Sequence, residues 1–371
     1  MTVWSPQQSA ALEKVAHWHR AYQRDRRQQV FRLFGFAGTG KTTLARHLAA
    51  EVGGLTCFAA FTGKAALMMR RNGCDDASTI HGLIYQVEER DDGSVRFVLD
   101  RESAASKAEL IVIDECSMVD EELGRDLLSY GRPILVLGDP AQLPPVRSAG
   151  FFTEAEPDVM LTEIHRQAEG NPIIQLATTV RTGGRIELGT YGNSRVIERG
   201  VLTGAEVLAA DQILVGKNVT RHSYNRRIRK LRGFEDPLPE AGDRLVCLRN
   251  DKTLGIFNGG LFTVSEVNHR RSRGDSIVMM VESEDFPNRA PIEVKVRKEF
   301  FLGGVEDLDW RDLKNGQHFD FGYALTTHKA QGSQWDEVII YDESGAFRDD
   351  WRRWLYTAVT RASDRLTLVL N

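Results

Sequence analysis

Residues 29–52, QVFRLFGFAGTGKTTLARHLAAEV, place a glycine-rich segment between an apolar run and a run of helix-favouring residues. Gly35, Gly40, Lys41 and Thr42 have the spacing GxxxxGK[ST], which forms a phosphate-binding loop when a strand precedes it and a helix follows it. QVFRLFGF predicts a buried strand and KTTLARHLAAEV predicts a helix, so both flanking elements are expected. The stretch therefore predicts a nucleotide-binding α/β domain.

The predicted loop has the chemistry of a nucleoside triphosphate site. Glycines let backbone N–H groups curl around phosphates at a helix N-terminus, the lysine reaches the β- and γ-phosphates, and the threonine hydroxyl ligates Mg²⁺. ATP and Mg²⁺ are therefore the expected cofactors. The alternative is a chance glycine-rich loop, which the flanking strand and helix argue against. The expected nucleotide-binding residues of the loop are Gly38, Thr39, Gly40, Lys41, Thr42 and Thr43.

Polar residues follow three further apolar runs, LTCFAAF, ELIVIDE and RPILVLGD, and ligands of open α/β sheets bind at such strand ends. In IVIDECSMV, Asp114 is the expected Mg²⁺ ligand and Glu115 the expected general base for an attacking water. Taken alone, an acidic pair after a strand is often only a solvated turn. In GDPAQLPPV, Gln142 suits a sensor of the γ-phosphate, because a neutral amide donates and accepts without titrating. Its ordinary alternative is a proline-terminated loop.

Composition excludes several classes of protein. The 371 residues are 42% apolar and 27% charged, which is typical of a soluble chain with two or three domains. No run approaches a membrane span, and the N-terminus lacks the plan of a signal peptide, so we expect a cytoplasmic protein without a membrane partner. Four scattered cysteines indicate neither a disulfide framework nor a zinc site. The net charge of −4 argues against a uniformly basic surface but allows a local positive channel.

The pattern of elements predicts an α/β chain with two insertions. The first α/β domain is expected over residues 1–150 and carries a β-hairpin at about residues 85–107, because alternating runs flank the turn pair Asp92-Gly93. Residues 237–319 consist of short β-rich runs and predict a small antiparallel barrel. The barrel is inserted into a second α/β domain, expected over residues 151–236 and 320–371.

The motifs, taken in order, resemble those of the superfamily 1 helicases of the RecD-like and Dda-like branch. The series runs WSPQQSAAL, GFAGTGKTT, FTGKAA, STIHGLI, IVIDECSMV, GDPAQLPPV, LTEIHRQ, ILVGKNVTRHSYNRRIR, YALTTHKAQG and LYTAVTRA, and it spans nearly the whole chain. The resemblance implies two RecA-like P-loop domains, an inserted hairpin that separates strands, and an inserted SH3-like barrel that braces the hairpin.

The resemblance also implies roles for residues in the matching motifs. Gln8 would read the adenine, although the neighbouring Gln7 is an alternative. Arg166 and Arg361 would act as arginine fingers, and Gly332 would lie toward the nucleotide. Together with the residues named above, the expected catalytic set is Lys41, Asp114, Glu115, Gln142, Arg166 and Arg361.

The same resemblance places a single-stranded nucleic acid across both domains. Such a strand needs donors for its backbone and flat groups for its bases. Taken singly, a histidine such as His81 is more often packed in the interior than in contact with a ligand. The acidic tip of the hairpin would repel phosphates, so the apolar residue Phe97 is the expected wedge. A basic run from residue 221 to 232 lies on a predicted helix. The resemblance implies that this segment borders both the nucleotide and the nucleic acid, and no individual contacts are assigned within it. The expected nucleic-acid-binding residues are Phe61, Thr62, Lys64, Thr79, His81, Phe97, Thr326, Thr327 and His328.

The function implied is an ATP-dependent DNA helicase that moves 5′→3′ on single-stranded DNA and unwinds duplex. Two alternatives stay open: an RNA helicase of the same superfamily, and a DNA-stimulated ATPase motor subunit that does not unwind alone. The expected partners are single-stranded DNA and forked or tailed duplex DNA, with replication or repair proteins as further partners of a protein that acts as a monomer.

Overall fold

The computed structural model describes residues 4–89, 95–144, 150–164, 170–251, 253–286, 288–314 and 316–370. The chain divides into two compact units, Met1–Arg181 and Thr182–Asn371. Within the described ranges, no helix combines the length and the apolar composition that a membrane crossing requires.

The first unit is built on a parallel sheet. The strands of the whole unit are β1 (Val30–Gly35), β2 (Thr56–Ala60), β3 (Ser78–Thr79), β4 (Tyr85–Glu89), β5 (Val95–Leu99), β6 (Leu110–Asp114), β7 (Ile134–Gly138) and β8 (Val159–Leu161). Its helices are α1 (Pro6–Asp25), α2 (Lys41–Val52), α3 (Gly63–Arg71), α4 (Ile80–Ile84), α5 (Ala104–Lys107), α6 (Glu121–Leu128) and α7 (Pro172–Thr182). The six-stranded sheet has the order β3-β2-β6-β7-β1-β8, and all of its pairs are parallel.

This sheet is buried on both faces, as parallel sheets are. On one face, Leu110 and Val112 of β6 pack with Leu44 of α2, while Ile111 and Ile113 pack into a separate cluster on the other face. The predicted strands β1, β2, β6 and β7 and the helix α2 are therefore present. The unit continues beyond the expected boundary at residue 150, because β8 pairs with β1 and extends the same sheet.

The predicted hairpin is present as β4 and β5. The two strands pair antiparallel from Tyr85↔Leu99 to Glu89↔Val95. Its predicted turn, Asp92-Gly93, lies outside the described residues. The hairpin forms a sheet of its own, apart from the parallel sheet.

The second unit holds a second, mainly parallel sheet and an antiparallel one. Its strands are β9 (Gly189–Tyr191), β10 (Ser194–Glu198), β11 (Gln212–Val215), β12 (Arg244–Cys247), β13 (Leu261–Val267), β14 (Ser276–Ser283), β15 (Ile292–Arg297), β16 (Phe319–Phe321), β17 (Ala324–Thr326), β18 (Trp335–Tyr341) and β19 (Ala362–Leu370). Its helices are α8 (Gly204–Ala209), α9 (Asn218–Leu231), α10 (Glu299–Leu302), α11 (Trp310–Lys314) and α12 (Trp351–Val359). The first sheet has the order β17-β11-β18-β19-β10-β9, with β9 antiparallel to its neighbour.

The antiparallel sheet has the strand order β15-β14-β13-β12-β16. A further bridge joins Val296 of β15 to Gln317, two residues before β16, so the two outer strands approach one another. One hydrophobic cluster runs from this sheet into the parallel sheet and includes Met279, Phe319 and Ile213. The β-rich insertion predicted over residues 237–319 is thus an ordered sheet that shares its core with the rest of the unit.

Candidate nucleotide and nucleic-acid sites

The phosphate loop lies between β1 and α2, where the motif requires it. Gly40 precedes α2 with a φ of 81°, a left-handed conformation that glycine adopts without strain. A Cβ atom added to Gly35 would lie 2.7 Å from Thr39 Oγ1 and 2.8 Å from Leu161 Cβ. Both positions therefore require glycine, which explains the two glycines of the motif in physical terms.

The lysine and threonine of the loop contact the loop backbone and the acidic pair, respectively. Lys41 Nζ donates to the carbonyl oxygens of Gly35 and Phe36 at 2.7 and 3.1 Å, so the ammonium group lies over the loop itself. Thr42 Oγ1 donates to Asp114 Oδ2 at 3.2 Å. The loop and the end of β6 thus meet, as the sequence predicted for these two motifs.

The acidic pair is strained and partly desolvated. Burial raises the pKa of Asp114, and the Glu115 N–H, the Lys41 ammonium and the Thr42 hydroxyl act in the opposite direction. Glu115 has a φ of 51° and a ψ of 45°, a left-handed conformation that costs free energy in a residue other than glycine. Desolvation that raises the pKa of a carboxylate favours a cation beside it, because the cation stabilises the charged form.

Gln142 contributes a buried acceptor. Its backbone N–H donates to Asp139 O at 3.2 Å, and its side-chain Oε1 is buried with no hydrogen-bond partner among the described residues. A buried polar atom without a partner is costly, so native structures reserve such atoms for a water or a ligand. The role of Gln142 toward the γ-phosphate or its water stays a prediction.

The two neighbouring glutamines have different contacts. Gln8 is almost fully buried, accepts from the Ser5 N–H and donates from Nε2 to Thr39 O at 3.0 Å. Gln7 instead accepts from the backbone N–H groups of Thr162 and Glu163, each at 2.9 Å. Of these two glutamines, Gln8 is the one with a hydrogen bond to the described part of the phosphate loop, and its role toward the adenine stays a prediction.

Three predicted nucleic-acid residues lie in one row of rings. Phe61 and His81 have ring centroids 6.1 Å apart, His81 and Tyr85 lie 5.6 Å apart, and Tyr85 and Phe97 lie 6.4 Å apart. Phe97 is 49% exposed. The row therefore runs from the end of β2 through α4 to the second strand of the hairpin.

The polar members of these two motifs have structural roles as well. Thr62 Oγ1 accepts from the Ala65 N–H at 3.1 Å and Thr79 Oγ1 accepts from the Gly82 N–H at 3.0 Å, so each caps the helix that follows. A hydroxyl that accepts at a cap still carries its own proton for donation. Lys64 is only 8% exposed, so its ammonium group is less accessible than the motif alone suggests.

In the second unit, the segment 326–332 is more deeply embedded than the sequence indicated. Thr327 has no exposed surface and its N–H donates to Val215 O at 3.0 Å, so it holds the end of β11 rather than facing solvent. Thr326 is also buried, and its Oγ1 accepts from the Lys329 N–H. His328 lies beside Phe347 with 5.5 Å between ring centroids, and burial lowers its pKa. Gly332 has a φ of 72°, where glycine is favoured.

Arg361 follows α12 and is held within its own unit. Its guanidinium donates to Thr357 O at 3.0 Å, Ser333 O at 3.1 Å and Thr360 Oγ1 at 3.1 Å, and the residue is 5% exposed. The Ser333 contact joins α12 to the segment that follows Gly332. The other predicted arginine finger, Arg166, lies outside the described residues.

The basic run on α9 is divided between two roles. Arg221 is buried and lies 2.7 Å from Asp320, and Arg229 is buried and lies 2.8 Å from Asp243. Both pairs join the helix to the antiparallel sheet or its entry. The exposed members of the run are Arg226, Arg227, Lys230 and Arg232.

Comparisons with known proteins show the family of the chain. Residues 4–201, more than half of the chain, match the AAA domain family. The chain belongs to the AAA domain family. Residues 321–369 of this AAA-domain chain also match the UvrD-like helicase C-terminal domain, which confirms the resemblance to superfamily 1 helicases.

Two curated relatives of the AAA-domain chain are named as helicases. It is 30% identical to the ATP-dependent RecD2 DNA helicase of Deinococcus radiodurans over 370 residues, which cover 90% of this chain. It is 33% identical to the ATP-dependent DNA helicase dda of Enterobacteria phage T4 over 164 residues, which cover 40% of this chain and 37% of that protein. The chain spans 46% of the RecD2 relative, about half its length.

A solved structure shows the same architecture. Bacteroides Pif1 bound to single-stranded DNA matches with a TM-score of 0.58 and 18% identity, over 99% of this chain and 92% of that one. At this identity the likeness shows the fold, an α/β architecture with parallel sheets, which confirms the predicted fold class at that level.

Three side chains of the AAA-domain region were not identified from the sequence: Tyr85, Asp126 and Arg181. Tyr85 continues the row of rings, and its hydroxyl donates to Asp126. Arg181 places its guanidinium carbon 3.6 Å from the centre of the Phe36 ring, inside the phosphate loop. Phe36 and Tyr85 belong to quoted motifs or directly follow them, but Asp126 and Arg181 are distant in sequence and carry no local signal.

Proposed function

We propose that the chain is an ATP-dependent DNA helicase that moves 5′→3′ on single-stranded DNA and unwinds duplex. The observation that carries this proposal is the register of three neighbouring strands. Ala60 pairs with Asp114 on one side and with Thr79 on the other, so Phe61, the acidic pair and α4 all follow adjacent strand ends. Groups for nucleotide chemistry and groups for base stacking therefore leave one edge of one sheet.

The residues present fit ATP with Mg²⁺. Thr42 and Asp114 would hold the metal, because their oxygens already lie together and burial of the carboxylate favours a cation. Lys41 can exchange its two carbonyl partners for phosphate oxygens, and the buried Gln142 Oε1 can accept from a water. Bound Mg²⁺ neutralises charge on the phosphates. Glu115 is then the proposed base for the water.

The further nucleotide assignments rest on motif matches. Gln8 is proposed as the adenine reader, since it contacts the loop through Thr39. Arg361 and Arg166 are proposed as arginine fingers, and Gly332 as a residue near the nucleotide. A guanidinium placed on developing phosphoryl charge can raise the rate by about 10³–10⁵.

The domain assignment is proposed in the same way. The two parallel sheets are proposed to be RecA-like domains, and the antiparallel sheet is proposed to be an SH3-like barrel. The bridge between Val296 and Gln317 supports closure of that sheet, because it links one outermost strand, β15, to a residue two positions before the other, β16.

The path of the nucleic acid is proposed to follow the row Phe61–His81 and the hairpin wedge Phe97. Stacking on aromatic rings tolerates any base, which suits a motor that moves along a strand. Thr62, Thr79 and Lys64 are proposed as backbone contacts in the first unit, with Thr326 and His328 in the second. Thr327, being buried, would support this segment from within. Single-stranded, forked and tailed DNA are the proposed substrates of a monomer that works with replication or repair proteins.

The deciding experiment compares duplexes with a 5′ tail and duplexes with a 3′ tail, in the presence of ATP and Mg²⁺. We expect strand separation of the 5′-tailed substrate only. Matched DNA and RNA oligonucleotides then test the substrate, because a stronger stimulation of ATP hydrolysis by RNA would favour an RNA helicase. Hydrolysis stimulated by DNA without strand separation on either substrate would indicate a motor subunit.

A further inference from the structure

The base of the hairpin is fastened to α6. The Tyr85 hydroxyl donates to Asp126 Oδ2 at 2.5 Å. Tyr130, just beyond α6, places its hydroxyl 2.7 Å from Asp100 O and 3.0 Å from Ile84 O, which are the residues that flank the two hairpin strands. Hydrogen bonds from α6 and the residues just after it thus reach the first hairpin strand and the two residues that flank the hairpin at its open end.

A fourth contact strengthens the same attachment. Arg101, which follows the hairpin, donates from Nη1 to Ser129 Oγ at 3.0 Å. The Asp100 N–H also donates to Ile84 O at 2.8 Å and closes the base of the hairpin. The attachment therefore consists of several polar contacts within one unit.

The apolar side of α6 joins this attachment to the nucleotide site. Leu123 and Leu127 of α6 lie in one buried cluster with Ile84, which immediately precedes the hairpin, and with Cys116 and Val119, which follow the acidic pair. All five are nearly or completely buried. Protein interiors are packed as densely as organic crystals, so neighbouring side chains in such a cluster move together.

The segment between the acidic pair and α6 is short and closely held. Glu115 is followed by a 3₁₀ turn, Cys116–Met118, and Asp120 caps α6 by accepting from the Leu123 N–H at 2.9 Å. The left-handed backbone of Glu115 is the one strained point along this segment. A change at Glu115 therefore has a short, stiff connection to the helix that holds the hairpin.

We propose that Asp126 and Tyr130 are positioning residues that transmit the nucleotide state of the acidic pair to the hairpin through α6. Neither residue belongs to the sets proposed here to bind the nucleotide or the nucleic acid. The use of this connection, strand separation by the hairpin, rests on the proposed function. The connection itself concerns only the first unit and can be measured without any nucleic acid.

The first test uses hydrogen exchange of the hairpin amides in the whole chain. Exchange of Tyr85–Glu89 and Val95–Leu99 is compared with and without ADP, aluminium fluoride and Mg²⁺. We expect a change of about threefold or more in the wild type, because nucleotide binding alters local opening of a coupled segment. The variants Tyr130→Phe and Asp126→Ala should lose most of this change. Alanine favours helix, so the second variant preserves α6.

A matched control is Tyr22→Phe. The Tyr22 hydroxyl donates to Gly131 O at 3.0 Å, so this variant also removes a partly buried phenol contact in the same unit but not at the hairpin. It should keep the wild-type response. Hairpin exchange that ignores the nucleotide in the wild type, or that responds equally in all variants, overturns the proposal.

The second test measures base pairs unwound per ATP hydrolysed on a 5′-tailed duplex. Tyr130→Phe should hydrolyse ATP within about twofold of the wild type and lose about fivefold or more in unwinding per ATP, since a coupling residue acts on the ratio rather than on turnover. An equal fall in both rates would indicate a merely structural role and contradict the proposal. If the wild type hydrolyses ATP but unwinds nothing, the helicase function fails, while the exchange result still decides the connection.

Discussion

The phosphate loop of the first unit and the segment 326–332 of the second unit were assigned with equal ease from their motifs, but they are built differently. In the loop, the Lys41 ammonium donates to the carbonyl oxygens of Gly35 and Phe36, and the Thr42 hydroxyl donates to one carboxylate. In the second segment, Thr327 is completely buried and the neighbouring Ser333 carbonyl accepts from Arg361.

The difference concerns what a substitution would change. Side chains of the phosphate loop have few partners that they could not exchange for a ligand, so removing them should alter chemistry with little effect on folding. Side chains around the second segment satisfy buried groups, and loss of a buried hydrogen-bond partner costs about 1–3 kcal/mol. Substitutions there should alter both stability and activity.

The largest expected effect is that of Arg361→Ala. If the guanidinium acts on the γ-phosphate, turnover of ATP should fall by about 10³-fold or more while nucleotide binding is retained. Removal of three buried donor contacts should also lower the free energy of unfolding by about 2–3 kcal/mol. Steady-state hydrolysis, binding of a fluorescent ADP analogue and urea unfolding measure the three quantities.

Arg361→Lys separates the two effects, because lysine keeps the charge but cannot satisfy three separated acceptors. A variant with wild-type turnover and reduced stability would remove the finger assignment and leave Arg361 a structural residue.

Lys41→Ala should lower ATP hydrolysis with little effect on stability, in contrast to Arg361→Ala. Hydrolysis should fall by about 10²–10³-fold, as expected when one preorganised donor to the transferring phosphate is lost. The midpoint of thermal unfolding should change little, because the Lys41 side chain is only half-buried and its two hydrogen bonds go to carbonyls of the loop. Binding of single-stranded DNA should persist, and Lys107→Ala, an exposed lysine on α5, is the control. Equal loss of DNA binding in the folded variant would contradict separate sites.

Much of the fold could be predicted, because its strands are long apolar runs that end in polar motifs. The runs of β6 and β7 are buried along almost their whole length and left few alternatives. The three-residue strands β8 and β9 carry no comparable pattern, and β8 joins the first sheet only through its pairing with β1. Helix α1 does have a signal, the capping box formed by Ser5 and Gln8.

The candidate site was predictable to the extent that its residues are adjacent in a motif. Phe61 and His81 come from two motifs and meet in the structure. The contact between Tyr85 and Asp126 joins residues 41 positions apart, and no local pattern indicates it. The motif also did not indicate how deeply its residues are buried. Thr327 was predicted to be an accessible donor, but it is completely buried.

A smaller effect is expected for His328→Ala. The ring lies against Phe347 and burial lowers its pKa, so a neutral imidazole occupies this position near pH 7. If the segment couples DNA binding to hydrolysis, stimulation of ATP hydrolysis by single-stranded DNA should fall by about 5- to 100-fold, a usual range for coupling between sites. Hydrolysis without DNA should persist. His269→Ala, an exposed histidine of the same unit, should retain full stimulation, and unaltered stimulation in His328→Ala would count against the role.

The smallest effect concerns pH. Burial lowers the pKa of His318 and Arg249 acts in the same direction, while the contact of its Nε2 with Leu313 O at 2.7 Å acts in the opposite direction without reversing the shift. In the unfolded chain this ring has a pKa of about 6.5 and is protonated below that pH, whereas in the folded chain it stays neutral to lower pH. The free energy of unfolding therefore falls as the pH drops below about 6.5. His318→Gln should make the fall shallower by less than about one proton over roughly pH 5–7. His222 and His328 also have lowered pKa values, so part of the slope should remain. Urea midpoints across this range measure the slope, with the exposed His17→Gln as control, and an unchanged slope in His318→Gln would show that this ring is protonated equally in both states.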